Sequence, residues 1–314
     1  MNEIDARRSA WSQYWSAGSL HSCPGSFAGN YAGVISEFWQ VAFADLMPGA
    51  RVLDLATGNG ALPQMLMQHH ADCVSVDAVD AAQVAPAWFR SLQNPQIRFH
   101  SGVLIEALPF EDASFDYVIS QYGIEYAAPP DAWQQALRVL RLDGHLVFVM
   151  HHADSVLARV AREEQKHFAW LLGREGLIPA AQSLSPWLSR VALRGSLRDN
   201  PSAEQSRQVF NEVQNELAAR ASASAVPDLL FEARHQVQLI LQQPKAQSML
   251  LRYVDALQAA QLRGAELIQF ALSPAQLADW VIWLRGQRPD SHLEAKELRQ
   301  AQGIMGWGLH LRPG

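Results

Sequence analysis

The 314-residue chain carries Lys+Arg 25 against Asp+Glu 31, a formal net charge of −6, and no run of basic residues, which argues against a nucleic-acid partner because a phosphate backbone rewards clustered cations. Its two cysteines, Cys23 and Cys73, are too few for a four-thiolate zinc site or a disulfide framework. The purest apolar stretch, residues 146–150, is far too short to span a bilayer, and the charged start, with Glu3, Asp5, Arg7 and Arg8, does not read as a signal peptide; the expectation is a cytoplasmic protein with no membrane partner.

An aromatic, glycine-punctuated stretch comes first, with Tyr14, Trp15, His21, Phe27, Asn30, Tyr31, Phe38 and Trp39. From about Arg51 to Met150 short apolar runs alternate with segments of helical spacing. Strands are predicted at 51–55, 73–77, 96–100, 115–120 and 144–150, with helical segments around 62–67 and 132–137. Strands alternating with helices imply βαβ units, and so a mostly parallel, doubly wound α/β sheet of Rossmann-like type covered on both faces. After about Ala153 the strands vanish. Val156, Leu157, Val160 and Ala161 mark a helix that Gly173 can cap, and Asn200-Pro201-Ser202 starts another carrying Val209, Phe210, Val213 and Leu217. Val226-Pro227 and Gln243-Pro244 break the chain before a long helical run from 246 to about 272. Ser273-Pro274 opens a helix over 275–284, and residues 304–311 return to strand character. The organisation expected is an N-terminal segment and core over 1–152, a helical insertion over 153–272 and a return to the core over 273–314. His69-His70 reads as a solvated helix end, and no metal site is expected.

The informative segment is Val52-Leu53-Asp54-Leu55-Ala56-Thr57-Gly58-Asn59-Gly60-Ala61-Leu62. A buried strand runs into a tight turn of small residues and then a helix. Glycine permits both the turn and the close approach of a ligand, and the carboxyl end of the first strand is where an open α/β sheet forms its crevice. Asp77, read as the end of the next strand, supplies a carboxylate able to accept two hydrogen bonds from a ribose diol. A nicotinamide dehydrogenase requires a third glycine in Gly-x-Gly-x-x-Gly, and here Ala61-Leu62-Pro63 follows. No Gly-Lys-Ser/Thr of a P-loop is present.

Residues 52–60, the block Leu108-Pro109-Phe110-Glu111-Asp112-Ala113-Ser114-Phe115-Asp116-Tyr117-Val118 and the block 136–146 resemble, in that order, class I S-adenosylmethionine-dependent methyltransferases, especially the small-molecule branch similar to ubiquinone and menaquinone methyltransferases. The resemblance covers about 45–152 and leaves the helical middle aside. It implies S-adenosyl-L-methionine as cofactor, with S-adenosyl-L-homocysteine as product, held by the loop Asp54, Ala56, Thr57, Gly58, Asn59 and Gly60. It further implies Asp77 on the ribose, Ala78 near the adenine, Gly102 and Val103 beside it, and Tyr31 and Gln121 close by. Two departures stand out: Ala56 replaces the first glycine, and Gly102-Val103-Leu104 stands where an acid usually meets the adenine amino group.

Methyl transfer to an oxygen needs a proton removed, and oxygen is the acceptor atom favoured over nitrogen or carbon. His151, His152 and Glu125, at strand carboxyl ends, are the candidate catalytic residues. The partner expected is a small-molecule methyl acceptor, and the helical insertion reads as a lid that also builds a homodimer. The alternative is a methyltransferase-like protein that acts without catalysis, through its helical half.

Overall fold

The computed structural model describes residues 3–22, 29–70, 74–92, 94–194 and 200–314; Cys23, Phe27 and Cys73 lie outside the described residues. Helix α1 spans Glu3–Ser16 and α2 Gly33–Ala42. The alternating part then runs β1 (Ala50–Leu55), α3 (Ala61–His70), β2 (Val74–Asp80), α4 (Ala87–Leu92), β3 (Ile97–Ser101), β4 (Phe115–Gln121), α5 (Asp131–Val139) and β5 (Leu140–Met150). Five helices follow: α6 (Val156–Leu172), α7 (Leu177–Arg194), α8 (Pro201–Ala223), α9 (Asp228–Leu241) and α10 (Ala246–Phe270). The chain closes with α11 (Pro274–Gln287), β6 (His292–Gln300) and β7 (Gly303–Arg312).

Several boundaries follow from local chemistry. The Asn200 side chain accepts from the Ser202 and Ala203 amides at 3.0 and 3.2 Å, with Pro201 in the first helical position, where its missing N–H costs nothing. Ser273 and Gln276 form a reciprocal capping box that starts α11. Gly173 follows directly on α6.

The seven strands pair in the order β3-β2-β1-β4-β5-β7-β6. β1 to β5 are mutually parallel, while β7 is antiparallel to β5 and β6 to β7. The order therefore reverses between β1 and β4, and a ligand crevice is expected at their carboxyl ends. One face packs Leu53, Leu55, Val118 and Phe148 against Trp133 and Ala136 of α5 and Leu277 and Leu284 of α11. The other packs Val52, Val76, Ile119 and Val147 against Trp39 of α2 and Leu62 and Leu66 of α3. Each such fully buried side chain contributes ~1.5–3 kcal/mol, which fixes the inner strands as a rigid floor for whatever binds at their ends.

Two sequence expectations change here. The final strand is a hairpin: β6, His-Leu-Glu-Ala-Lys-Glu-Leu-Arg-Gln, is an edge strand whose charged, largely exposed residues hid its pairing. The strand expected from 144 starts earlier, as β5 begins at Leu140 with an irregular register opposite Phe115 and Tyr117.

The chain divides into two compact units, residues 1–159 with 266–314 and residues 160–265. These borders fall inside α6 and α10 rather than at 152 and 272, because both helices start or finish on the sheet-bearing unit. The second unit has its own core of Phe168, Leu171, Leu177, Leu217, Leu230, Val237 and Leu250, drawn from α6 to α10. Among the described residues no helix is long and apolar enough to cross a membrane.

Candidate functional site

β1 leaves the sheet through Ala56, whose φ of 54° lies in the left-handed region. For a residue with a Cβ this costs ~1 kcal/mol, the reason glycine is usual there. The opposing strand accommodates the methyl group: a Cβ built on Gly123 would lie 2.5 Å from that of Ala56, so a glycine after β4 gives the room. The loop then turns back on itself. Thr57 N–H donates to Val79 O at 2.9 Å, Gly58 N–H to Asp80 Oδ2 at 2.8 Å and Gly60 N–H to Thr57 O at 3.0 Å.

Gly58 and Gly60 have φ of 55° and 76°. Added Cβ atoms would meet the Trp15 ring at 2.5 Å and the Phe99 ring at 2.7 Å. In this structure the space beside these glycines is taken by the aromatic side chains of Trp15, Trp88 and Phe99. Asn59 also works structurally, its Nδ2 donating to Trp15 O at 2.9 Å and Ser19 O at 2.7 Å, which ties the end of α1 to the loop.

Above the carboxyl ends of β1, β2 and β4 lies a cavity of about 390 Å³, within the range of small-molecule sites. Asp54, Ala56, Thr57 and Ala61 form its floor, Asp80, Ala81, Ala82 and Val103 to Glu106 one side, Gln121 to Gly123 another, and α1 crosses it with Ile4, Arg7, Arg8, Trp11 and Trp15. Tyr31 lines it too and stacks on His21 at 4.3 Å. Burial pushes the Asp54 carboxyl up to about 8, the neighbouring Thr57 hydroxyl opposing this and the Asp80 charge adding to it. Burial likewise pushes Asp80 up to about 6, against the Ala82 and Gly58 amides that donate to it. Trp39 Nε1 donates to Gln121 Oε1 at 2.6 Å and so fixes that amide, leaving Nε2 without a partner. Asp54 Oδ2 and Thr57 Oγ1 are also buried, with no partner beyond the interaction of these two side chains with each other. Such buried polar atoms on the floor and side of the cavity call for a ligand that donates and accepts.

Asp77 does not belong to this wall. β2 continues for three residues beyond it, and residues three apart on a strand face opposite ways. Its carboxylate bonds His100 Nε2 at 2.8 Å, with Arg51 and Arg98 at 3.7 and 3.9 Å. The acid that ends the strand in the cavity is Asp80. Ala78 is fully buried among Val76 and Ile97, and the alanines that line the cavity beside β2 are Ala81 and Ala82. Val103 lines the cavity, and Gly102 does not.

The three catalytic candidates sit behind the wall. Glu125 is buried, accepts from His151 N–H at 2.7 Å and is pushed up to about 7 by burial against that bond. Burial drives His151 down to about 3, and its ring stacks on Tyr122 at 4.2 Å. His152 Nδ1 accepts from Asp154 N–H at 2.8 Å, its ring lies on Trp307 and burial lowers its pKa. None of the three lines the cavity. Sequence reasoning singled out Tyr14 and Trp15 in an aromatic segment but missed the helix α1 that carries them and its other lining residues. Its stripe at 4, 7, 8, 11 and 15 is helical spacing of one face, with Arg7 bridging to Glu266 at 2.6 Å and Trp11 meeting Tyr126 edge-on.

The strand order, the loop after β1 and the acids at the ends of β1 and β2 form a crevice at the switch in strand order, where open α/β sheets bind their ligands. Residues 53–148 match the family described as "Methyltransferase domain", and in this segment the chain is similar to class I S-adenosylmethionine-dependent methyltransferases. An uncharacterized methyltransferase of Bacillus subtilis, YcgJ, is 32% identical over 111 residues, 34% of this chain and 44% of that one. A demethylmenaquinone methyltransferase of Beutenbergia cavernae is 36% identical over 117 residues, 36% of this chain and 47% of that one. The chain thus spans less than half the length of these relatives. The crystal structure of YcgJ superimposes with a TM-score of 0.35 at 24% identity, over 44% of this chain and 67% of that one.

The residues fit the domain's cofactor. S-Adenosylmethionine presents an ammonium, a ribose diol and an adenine, and the cavity offers a buried carboxylate oxygen at Asp54, the Asp80 carboxylate and the apolar lining of Ala81, Ala82, Val103 and Leu104.

Proposed function

We propose that this chain binds S-adenosylmethionine in the cavity and transfers its methyl group to a small organic acceptor. The observation that carries the reading is the convergence of Asp54 Oδ2, Thr57 Oγ1 and Gln121 Nε2, all buried polar atoms, on a crevice at the switch in strand order. When bound, the cofactor supplies a methyl group activated on a sulfonium. The chain's part is to hold and to exclude. Asp54 takes the ammonium, which lets its carboxyl ionise, and Asp80 accepts from the ribose hydroxyls while keeping the Gly58 and Ala82 amides. Trp11, Trp15 and Tyr126 keep water from the reacting atoms, since positioning and desolvation account for much of such a displacement.

With His151, His152 and Glu125 behind the wall, an oxygen acceptor has to give its proton to another lining group or to water, or arrive ionised. Calorimetric titration with S-adenosylmethionine and S-adenosylhomocysteine tests the reading; failure of both to bind at millimolar concentration refutes it. Residues 160–265 carry exposed Phe231, Leu239 and Leu251. The homodimer reading of this unit requires a mass that rises with concentration, and the lid reading requires ligand-dependent protection from hydrogen exchange.

A further inference from the structure

The charged side chains of the cavity wall can be balanced one by one. Arg7 is neutralised by Glu266 at 2.6 Å and lies 4.9 Å from the centre of the Phe270 ring. Glu106 accepts the Ala128 N–H at 2.8 Å, and Asp80 accepts two amides. Arg8 is different. It lines the cavity between Arg7 and Trp11, its Nε is sealed from solvent without a hydrogen bond, and no carboxylate pairs with it among the described residues. A guanidinium donor closed off from water and left unbonded is costly, and its planar fork matches a carboxylate. Around it stand Trp11, Trp15 and Ile4, apolar surface that strengthens any ion pair formed there.

We infer that Arg8 is the anion-holding residue of this cavity and that a ligand presents a carboxylate to it. The inference rests on the methyltransferase reading for the identity of its two sources: the amino-acid tail of the cofactor, or the acid group of an aromatic or aliphatic acceptor. Asp54 and Arg8 then divide the work by charge, one taking the cation and the other the anion.

The test compares wild type, Arg8→Gln and Arg8→Lys by calorimetry, with melting curves confirming that each variant folds. The probes are S-adenosylhomocysteine, 5′-methylthioadenosine (the same nucleoside without the amino-acid tail), and benzoate against benzamide on protein saturated with S-adenosylhomocysteine. If the cofactor is the source, Arg8→Gln weakens S-adenosylhomocysteine roughly tenfold or more and leaves 5′-methylthioadenosine unchanged. An acceptor source instead leaves both nucleosides unchanged, while benzoate binds wild type in preference to benzamide and loses that preference in Arg8→Gln. In either case Arg8→Lys recovers part of the loss. Equal weakening of both nucleosides overturns the inference, since that is a packing effect. So does unchanged nucleoside binding without a benzoate preference. If wild type binds no S-adenosylhomocysteine, the cofactor reading falls, and the benzoate–benzamide comparison on the ligand-free protein still decides Arg8.

Discussion

Replacing Gly58 by alanine would place a methyl group 2.5 Å from Cζ2 and 2.6 Å from Cη2 of Trp15, at a backbone φ of +55°. The left-handed backbone costs ~1–2 kcal/mol for a residue with a Cβ, and overpacking against a ring adds ~1–3 kcal/mol, so the expected loss is roughly 2–5 kcal/mol. The two parts separate in a double-mutant cycle. In a Trp15→Ala background the steric part disappears and only the backbone part of ~1–2 kcal/mol remains, giving a coupling of ~1–3 kcal/mol between the two positions. Trp15→Ala retains the backbone carbonyl that Asn59 bonds, so α1 keeps that tether. Urea unfolding followed by tryptophan fluorescence reports mainly on the sheet-bearing unit, because Trp170 and Trp187 alone of the ten tryptophans fall within 160–265. An equal cost in both backgrounds would refute the argument that this glycine makes room for Trp15. A double mutant that regains the steric part of its stability but binds S-adenosylhomocysteine poorly would return the glycine to the ligand.

Asp80→Ala should weaken S-adenosylhomocysteine roughly tenfold or more, the loss of a charge-assisted bond, whereas Asp77→Ala should lower stability and leave affinity unchanged in the same titrations. Asp54 is raised from 3.8 to about 8, so between those values the folded state holds a proton that the unfolded state has lost, and stability falls as pH rises, by up to ~1.4 kcal/mol per pH unit. Asp54→Asn should flatten that slope between pH 4 and 8 and stabilise the ligand-free protein at pH 8, as read from unfolding midpoints across the range. His151→Gln should leave the pH profile of methyl transfer between 6 and 9 unchanged, because a ring held down to about 3 does not titrate there; a shifted limb would put His151 in the proton path.

The alternating half of the fold was legible because its determinants are local: apolar runs of strand length, small-residue turns and capping sequences such as Ser273-Pro274. The position of Asp54 and the loop after it followed for the same reason. Asp77 and Asp80 were not separable that way, since both are acids on one run of strand residues. Where β2 stops is decided by pairing with β1 up to Val79 and with β3 up to Asp80, which is tertiary information. His151 and His152 looked like groups at a sheet mouth, but Tyr122 and Trp307 cover them. The α1 stripe was present in the spacing of Ile4, Arg8, Trp11 and Trp15, masked by the polar residues between them. β6 was hidden by its charges, as edge strands generally are.

One small feature bears on how such a chain can change. The peptide groups at the two ends of the helical excursion are stitched together: Leu272 N–H donates to His151 O at 2.8 Å and Ala153 N–H to Leu272 O at 3.0 Å, with a parallel bridge between His152 and Leu272. The excursion therefore departs and returns through one narrow neck that is part of the sheet-bearing unit. Closure entropy grows only as the logarithm of the length enclosed, so doubling or halving what hangs from this neck alters the stability of the sheet by ~0.6 kcal/mol. The neck is a graft point, at which descent could trade one helical attachment for another while the strands, the loop after β1 and the acids at their ends stayed as they were.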